Sequence, residues 1–145
     1  MGLISPELIK FDCGVSYRDE AIKIMADMME ASGKLDDKEQ YIKDVLDRES
    51  ESTTAVGYAI AVPHAKSAGV KEACVGFMKF THPIQWDANS KPIAMAFQIA
   101  VPKDAGNQHL EILGQIFRSL LHEDFRSRLA KASTTEEAIN LIKEI

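Results

Sequence analysis

Hydrophobic residues recur with a helical period at both ends of the chain and in a strand-like pattern between them. The helical period predicts five helices, which cover about 17–32, 36–48, 108–121, 123–131 and 134–142. Two pairs of residues have the spacing of capping boxes, namely Ser16 with Asp19 and Thr134 with Glu137. Asn107 is placed to cap the helix predicted at 108–121.

Apolar, strand-like runs predict one short strand before the first helix, at Leu8–Phe11, and further strands in the middle of the chain. The strands in the middle cover Gly57–Val62, 73–80, 84–86 and Pro92–Val101, with 81–83 as an interruption. Pro63 and Pro102 follow two of these strands. Because proline cannot donate to a sheet ladder, we expect regular pairing to end at Pro63. His64 should then lie in a loop at the edge or end of the sheet.

This order of elements predicts an α/β fold, with a mixed sheet of about five strands and helices on both faces. The 145 residues match the usual size of one domain, so a single-domain sandwich spanning 1–145 is expected. If the strand ends at Pro63 and Pro102 lie on the same side of the sheet, His64 and His109 should converge.

Composition narrows the classes of function. A net charge of −5 without a basic cluster argues against nucleic-acid binding and suits a basic protein partner. The chain has no signal-peptide pattern and no apolar run of membrane-spanning length, so we expect a cytoplasmic protein without membrane insertion. Cys13 and Cys74 have no metal-ligand or redox spacing and are expected to be buried free thiols.

Histidine is the candidate reactive group. The phosphate-loop, dinucleotide-binding, zinc-protease and serine-hydrolase motifs are absent from the sequence. A neutral imidazole can attack phosphorus, which makes His64 a candidate nucleophile. His109 falls in the first turn of a predicted helix, where backbone N–H groups favour an anion. An ordinary loop position is the competing interpretation of each histidine.

Two stretches of the sequence resemble one known family. The first is Arg48-Glu49 followed by Thr53 and Gly57–His64, and the second is Ile99–Pro102 followed by Asn107–Leu113. Both are similar to the motifs of fructose/mannitol-type IIA domains of the bacterial phosphoenolpyruvate:sugar phosphotransferase system. The resemblance covers nearly the whole chain.

The resemblance implies that His64 accepts a phosphoryl group from phospho-HPr and passes it to a cysteine of a IIB domain, which works with a IIC membrane permease. It also implies that His109 is a second active-centre histidine and that Arg48 neutralises phosphoryl oxygens. Thr53 and Thr54 are weaker candidates for hydroxyl contacts to phosphate. The carrier would serve uptake of a fructose- or mannitol-like sugar, and no cofactor or metal is implied.

Two other functions stay open. A regulatory, nitrogen-type IIA protein of the same fold would be phosphorylated but would act by binding target proteins. A metal-dependent hydrolase could use His64 and His109 as ligands, but it needs a third ligand for which the sequence has no spacing motif.

Overall fold

A computed structural model describes residues 2–145. The α-helices are α1 (Arg18–Ala31), α2 (Lys38–Glu51), α3 (Gln108–Leu120), α4 (Glu123–Lys131) and α5 (Thr135–Lys143). The strands are β1 (Ile9–Cys13), β2 (Ala55–Gly57), β3 (Ile60–Ala61), β4 (His64–Ser67), β5 (Cys74–Ile84) and β6 (Ile93–Pro102). The five helices lie close to their predicted bounds, which confirms the helical periodicity.

The six strands form one mixed sheet in the order β1-β5-β6-β3-β2, with β4 also paired to β6. Strand β6 runs antiparallel to β5 and parallel to both β3 and β4. β1 is parallel to β5, while β2 and β3 form an antiparallel hairpin. The predicted mixed sheet is confirmed, and β6 pairs with three of the other five strands, β5, β3 and β4.

Side chains that alternate along β5 and β6 contribute to two separate cores. On one face, Met78 and Ala100 belong to a cluster with residues of α1 and α2. On the other, Phe77 and Phe97 pack with their ring centroids 5.0 Å apart in a cluster with α3, α4 and α5. The helices therefore cover both faces, as the sandwich prediction requires.

Glycine at position 76 allows α1 to approach the sheet closely. A Cβ atom at Gly76 would lie 2.3 Å from the sulfur of Met25, which is fully buried. The same helix is held by Gln98, whose buried side-chain amide donates to the carbonyl of Ile22 at 3.1 Å.

The prediction that sheet pairing ends at Pro63 is wrong. The segment forms the β2–β3 hairpin, and pairing to β6 resumes in β4, which starts at His64. Pro63 is tolerated because it contributes its carbonyl, which accepts a hydrogen bond from the backbone N–H of Ile99 at 3.0 Å. His64 does lie at a sheet edge, since β6 is the strand that pairs with β4 within residues 2–145.

Of three further local predictions, two are wrong and one is confirmed. The interruption at 81–83 is wrong, because β5 continues through Pro83 with a register shift against β6 between Lys79 and Ile84. The capping box at Ser16 is also wrong, because α1 has Tyr17 at its N-cap and no side-chain cap. The capping box at Thr134 is confirmed by a bond from the N–H of Glu137 to the threonine hydroxyl oxygen.

Cys13 and Cys74 are buried free thiols, as predicted. Burial raises the pKa of the Cys74 thiol to about 12. None of the helices described within residues 2–145 is long and apolar enough to cross a membrane.

Candidate active site

His64 is the first residue of β4 and is half-buried. Its Nδ1 lies 2.9 Å from the carbonyl oxygen of Val62, two residues earlier. A carbonyl oxygen can only accept, so this bond requires the hydrogen on Nδ1. In the neutral ring, Nε2 then carries the unshared electron pair.

The surroundings of His64 favour that neutral ring. Burial lowers the pKa of His64, and this effect exceeds the opposing effect of the bond to the Val62 carbonyl. The positive charge of Arg48 lowers the pKa further, whereas the carboxylate of Glu49 raises it. His64 is therefore an uncharged base at neutral pH.

The backbone on either side of His64 is fixed to α2 through β6. Ile99, which pairs with His64, donates its N–H to Pro63. The carbonyl of Ile99 accepts a 3.0 Å hydrogen bond from the hydroxyl of Tyr41, a fully buried residue of α2. Burial also raises the pKa of Tyr41, so its hydroxyl stays a donor.

His109 is the second residue of α3 and is half-buried. Its electrostatic influence is one of the smaller contributions to the lowered pKa of His64. Its Nδ1 is buried and has no hydrogen-bond partner within the described part of the chain. Asn107 occupies the N-cap position as predicted, but its side chain makes no capping bond.

Lys66 links the two histidine-bearing segments. Its Nζ donates to the carbonyl of Gly106 at 2.7 Å, which joins β4 to the loop before α3. The same loop is joined to β4 by the N–H of Lys103, which donates to the carbonyl of Ser67 at 3.1 Å. These two bonds join the strand that begins at His64 to the loop that leads to His109, whereas the predicted strand end at Pro63 plays no part, because β4 begins at His64.

Arg48 lies in the last turn of α2 and is half-buried. Its Nη1 donates to the carbonyl and hydroxyl oxygens of Ser52, at 3.0 and 3.3 Å. Arg48, Lys66 and Lys103 line one cleft. The carboxylates of Asp44 and Asp47 line the same cleft. The positive charge of Arg48 also contributes to lowering the pKa of His64.

The two threonines of the predicted site differ in exposure. Thr53 is exposed, and its hydroxyl oxygen accepts a hydrogen bond from the N–H of Ala55. A hydrogen bond from Thr53 to the carboxylate of Asp87 is the main reason that the pKa of Asp87 falls to about 2. Thr54 is buried, and both its N–H and its hydroxyl donate to the carboxylate of Glu49.

Glu49 has no function in the sequence-based prediction, although it stands in the first family motif. It is only 4 % exposed. A signal was present, because Glu49 follows Tyr41 and Val45 at four-residue spacing and so continues the apolar face of α2. An acidic residue in that position needs a buried partner.

No three His, Cys, Asp or Glu side chains within residues 2–145 are grouped so that they could hold a metal ion. The third ligand that a metal-dependent hydrolase needs beside His64 and His109 is thus not supplied by this part of the chain.

A family model identifies the class of protein. The model described as "Phosphoenolpyruvate-dependent sugar phosphotransferase system, EIIA 2" matches residues 2–145. The chain belongs to this family, whose members are phosphotransferase components. The predicted family and the predicted enzyme class are both confirmed.

Two curated relatives show how such chains are arranged. The "PTS system fructose-specific EIIA component" of Haloferax volcanii is 35% identical over 140 residues, which cover 96% of this chain and 91% of the relative. The "PTS system fructose-specific EIIABC component" of Bacillus subtilis is 30% identical over 143 residues, which cover 98% of this chain. The chain spans only 22% of that longer protein.

Solved structures share the fold. The nitrogen regulatory protein IIA-Ntr of Neisseria meningitidis has a TM-score of 0.83 at 24% identity, covering 97% of this chain and 96% of the other. The complex of enzyme IIAMtl with phosphorylated enzyme IIBMtl of Escherichia coli gives 0.83 at 21% identity, covering 98% of this chain and 98% of the matched one. At these identities the likeness establishes the fold alone.

Proposed function

We propose that this chain is a phosphoryl carrier of a sugar phosphotransferase system, with Nε2 of His64 as the nucleophile. The P–N bond of phospho-HPr breaks as a bond forms between phosphorus and Nε2 of His64. In a second step that bond breaks, its electron pair stays on Nε2, and phosphorus bonds to the thiolate sulfur of a cysteine in a IIB domain. Each imidazole returns to its neutral form, and no cofactor takes part.

The observation that carries this proposal is the hydrogen bond from Nδ1 of His64 to the carbonyl of Val62. It leaves Nε2 as the basic nitrogen of the neutral ring. The lowered pKa of His64, caused mainly by burial, keeps that nitrogen free of a proton near neutral pH.

Arg48 and His109 would stabilise the transferred group. Phosphoryl transfer requires in-line placement of donor and acceptor, with positive charge and hydrogen-bond donors around the equatorial oxygens. The electrostatic effect of the Arg48 guanidinium on His64 supports this role, and the free N–H groups of the first turn of α3 suit an anion next to His109. Contacts of Thr53 or Thr54 to phosphate stay a prediction.

The names of the relatives support a sugar-uptake role. The Haloferax and Bacillus proteins are named as fructose-specific, and the second is named as containing EIIB and EIIC parts. We therefore propose a fructose-like sugar, a IIB acceptor and an associated IIC permease as the partners of this chain. The carrier would act in the cytoplasm, and its net charge of −5 suits a basic phosphoryl donor.

A regulatory, nitrogen-type function is the second candidate. The observation in its favour is the fold shared with IIA-Ntr. Both candidates begin with phosphorylation of His64 and differ in the acceptor. Transfer of the phosphoryl group to a IIB domain of fructose type would favour uptake; phosphorylation without transfer to any IIB domain would favour regulation.

Intact-mass measurement after incubation with phosphoenolpyruvate, enzyme I and HPr tests the nucleophile. We expect one added, acid-labile phosphoryl group in the wild type and none in His64→Ala. His82→Ala is the matched control because His82 is exposed in β5, and it should be labelled like the wild type. Undiminished labelling of His64→Ala would exclude His64 as the acceptor.

A further inference from the structure

We infer that Glu49 is a positioning residue for phosphoryl transfer, because its buried carboxylate holds Thr54 and thereby the backbone that orients the ring of His64. The inference rests on the proposed role of His64 as nucleophile. It gives a function to the one buried acidic side chain beside the site within residues 2–145.

The first contact joins the end of α2 to the segment before β2. The Glu49 carboxylate accepts the backbone N–H of Thr54 at 3.1 Å and also accepts its hydroxyl in a short hydrogen bond. Glu49 and Thr54 are each only 4 % exposed. Burial of an acidic group is unfavourable unless donors satisfy it, and Thr54 supplies two.

The next two contacts lead to the imidazole. The carbonyl of Thr54 accepts the N–H of Val62 at 2.9 Å, and the carbonyl of Val62 accepts Nδ1 of His64 at 2.9 Å. Val62 stands between β3 and β4, outside regular strand pairing. The bond to Thr54 therefore adds to the core packing of Val62 in fixing its backbone, and the tautomer of His64 depends on where the Val62 carbonyl points.

Acceptor chemistry explains why a carboxylate suits position 49. Thr54 presents two donors, and a carboxylate offers only acceptors. Glutamine has nearly the same shape but brings an NH₂ group, so one of the two Thr54 donors would lose its partner. The negative charge of Glu49 also raises the pKa of His64, which partly offsets the lowering by burial.

Three variants test the inference: Glu49→Gln, Thr54→Val and Thr54→Ser. Serine keeps the hydroxyl and the N–H, whereas valine keeps the shape without the hydroxyl. The tautomer of His64 is read from long-range ¹H–¹⁵N NMR spectra of the unphosphorylated protein. The rate of phosphoryl transfer from phospho-HPr is measured on the same samples.

We expect Glu49→Gln and Thr54→Val to populate the Nε2–H tautomer, which the bond to the Val62 carbonyl disfavours in the wild type. Their transfer rates should fall about tenfold, which corresponds to the loss of one hydrogen bond to a charged group. Thr54→Ser should retain the wild-type tautomer and rate. Glu39→Gln is the control, because Glu39 is exposed in the first turn of the same helix.

A folded Glu49→Gln with the wild-type tautomer would overturn the inference, whether or not its rate falls. If Glu49→Gln does not fold, the contrast between Thr54→Val and Thr54→Ser decides in the same way. The tautomer of His64 is measured in the absence of HPr, so it tests the positioning of the ring independently of phosphoryl transfer. If the wild type accepted no phosphoryl group, the proposed function would be overturned, but the tautomer measurement would still decide whether Glu49 positions the ring.

Discussion

The two histidines of the site are held in different ways. His64 begins a paired strand, and its Nδ1 is bonded to the Val62 carbonyl. His109 follows a loop, stands in a helix whose N-cap makes no side-chain bond, and has a buried Nδ1 with no partner among the described residues. One ring has a hydrogen bond that fixes it within the protein, whereas the buried Nδ1 of the other has none.

This difference matches the requirements of phosphoryl transfer. A nucleophile must present one chosen nitrogen, and a fixed hydrogen bond to the other nitrogen achieves that. A group that stabilises the transferred phosphoryl must bond to something that arrives later. A buried polar atom without a hydrogen-bond partner is costly in a folded protein. We interpret the unpartnered Nδ1 of His109 as a sign that this histidine stabilises the transferred phosphoryl group.

Replacement of His109 should produce the largest effect on this comparison. For His109→Ala we expect transfer from phospho-HPr to slow about 100-fold, as happens when one group that stabilises developing charge is removed. The label on His64 should still form, and the tautomer of His64 should not change. Quench-flow labelling and the ¹H–¹⁵N spectra measure the two quantities.

His122→Ala is the control for that experiment, because His122 is exposed at the N-cap of α4. A His109→Ala variant that transfers at the wild-type rate would contradict the role proposed for His109. A changed His64 tautomer in that variant would contradict the separation of the two roles.

The pH dependence of His64 tests whether the fold keeps its ring neutral. Burial lowers its pKa, so NMR titration of the ring should give a midpoint below the ordinary histidine value of about 6.5. The sign for stability follows, since the unfolded chain takes up this proton at a higher pH than the folded one. The contribution of His64 to stability is complete above about pH 6.5 and is lost as the pH falls towards the folded pKa.

Urea unfolding at several pH values measures that contribution. His64→Gln should flatten the fall in stability between about pH 6.5 and the lower midpoint, because glutamine does not titrate. A titration midpoint of His64 at or above about 6.5 would contradict the burial argument.

The sequence predicts the frame of the site better than its local geometry. Helical periodicity and strand-like runs follow from burial of one face, so the five helices and the mixed sheet could be predicted. The two family motifs identified the segments that carry His64 and His109, and bonds from β4 to the loop before α3 join them. The prediction that pairing ends at Pro63 was nevertheless wrong. A proline lacks only the N–H, and the neighbouring strand β6 bonds to the carbonyl of Pro63.

The bonds around the imidazole could not be predicted from the sequence. The acceptor of Nδ1 is a backbone carbonyl, and every residue has one, so no residue type marks Val62. The spacing of Glu49 from Tyr41 and Val45 indicates burial, but it does not identify Thr54 as the partner of the carboxylate. Such contacts depend on the path of the chain rather than on a pattern of side chains.

The smallest predicted effect concerns Lys66, which ties the loop before His109 to β4 by its bond to Gly106. The bond is exposed, so its loss should cost little, and we expect Lys66→Met to slow transfer about threefold. The His64 tautomer should stay unchanged because that ring has its own support. Lys71→Met is the control, since Lys71 is exposed outside the site. A Lys66→Met variant with an altered His64 tautomer would show that the two histidines are not held independently.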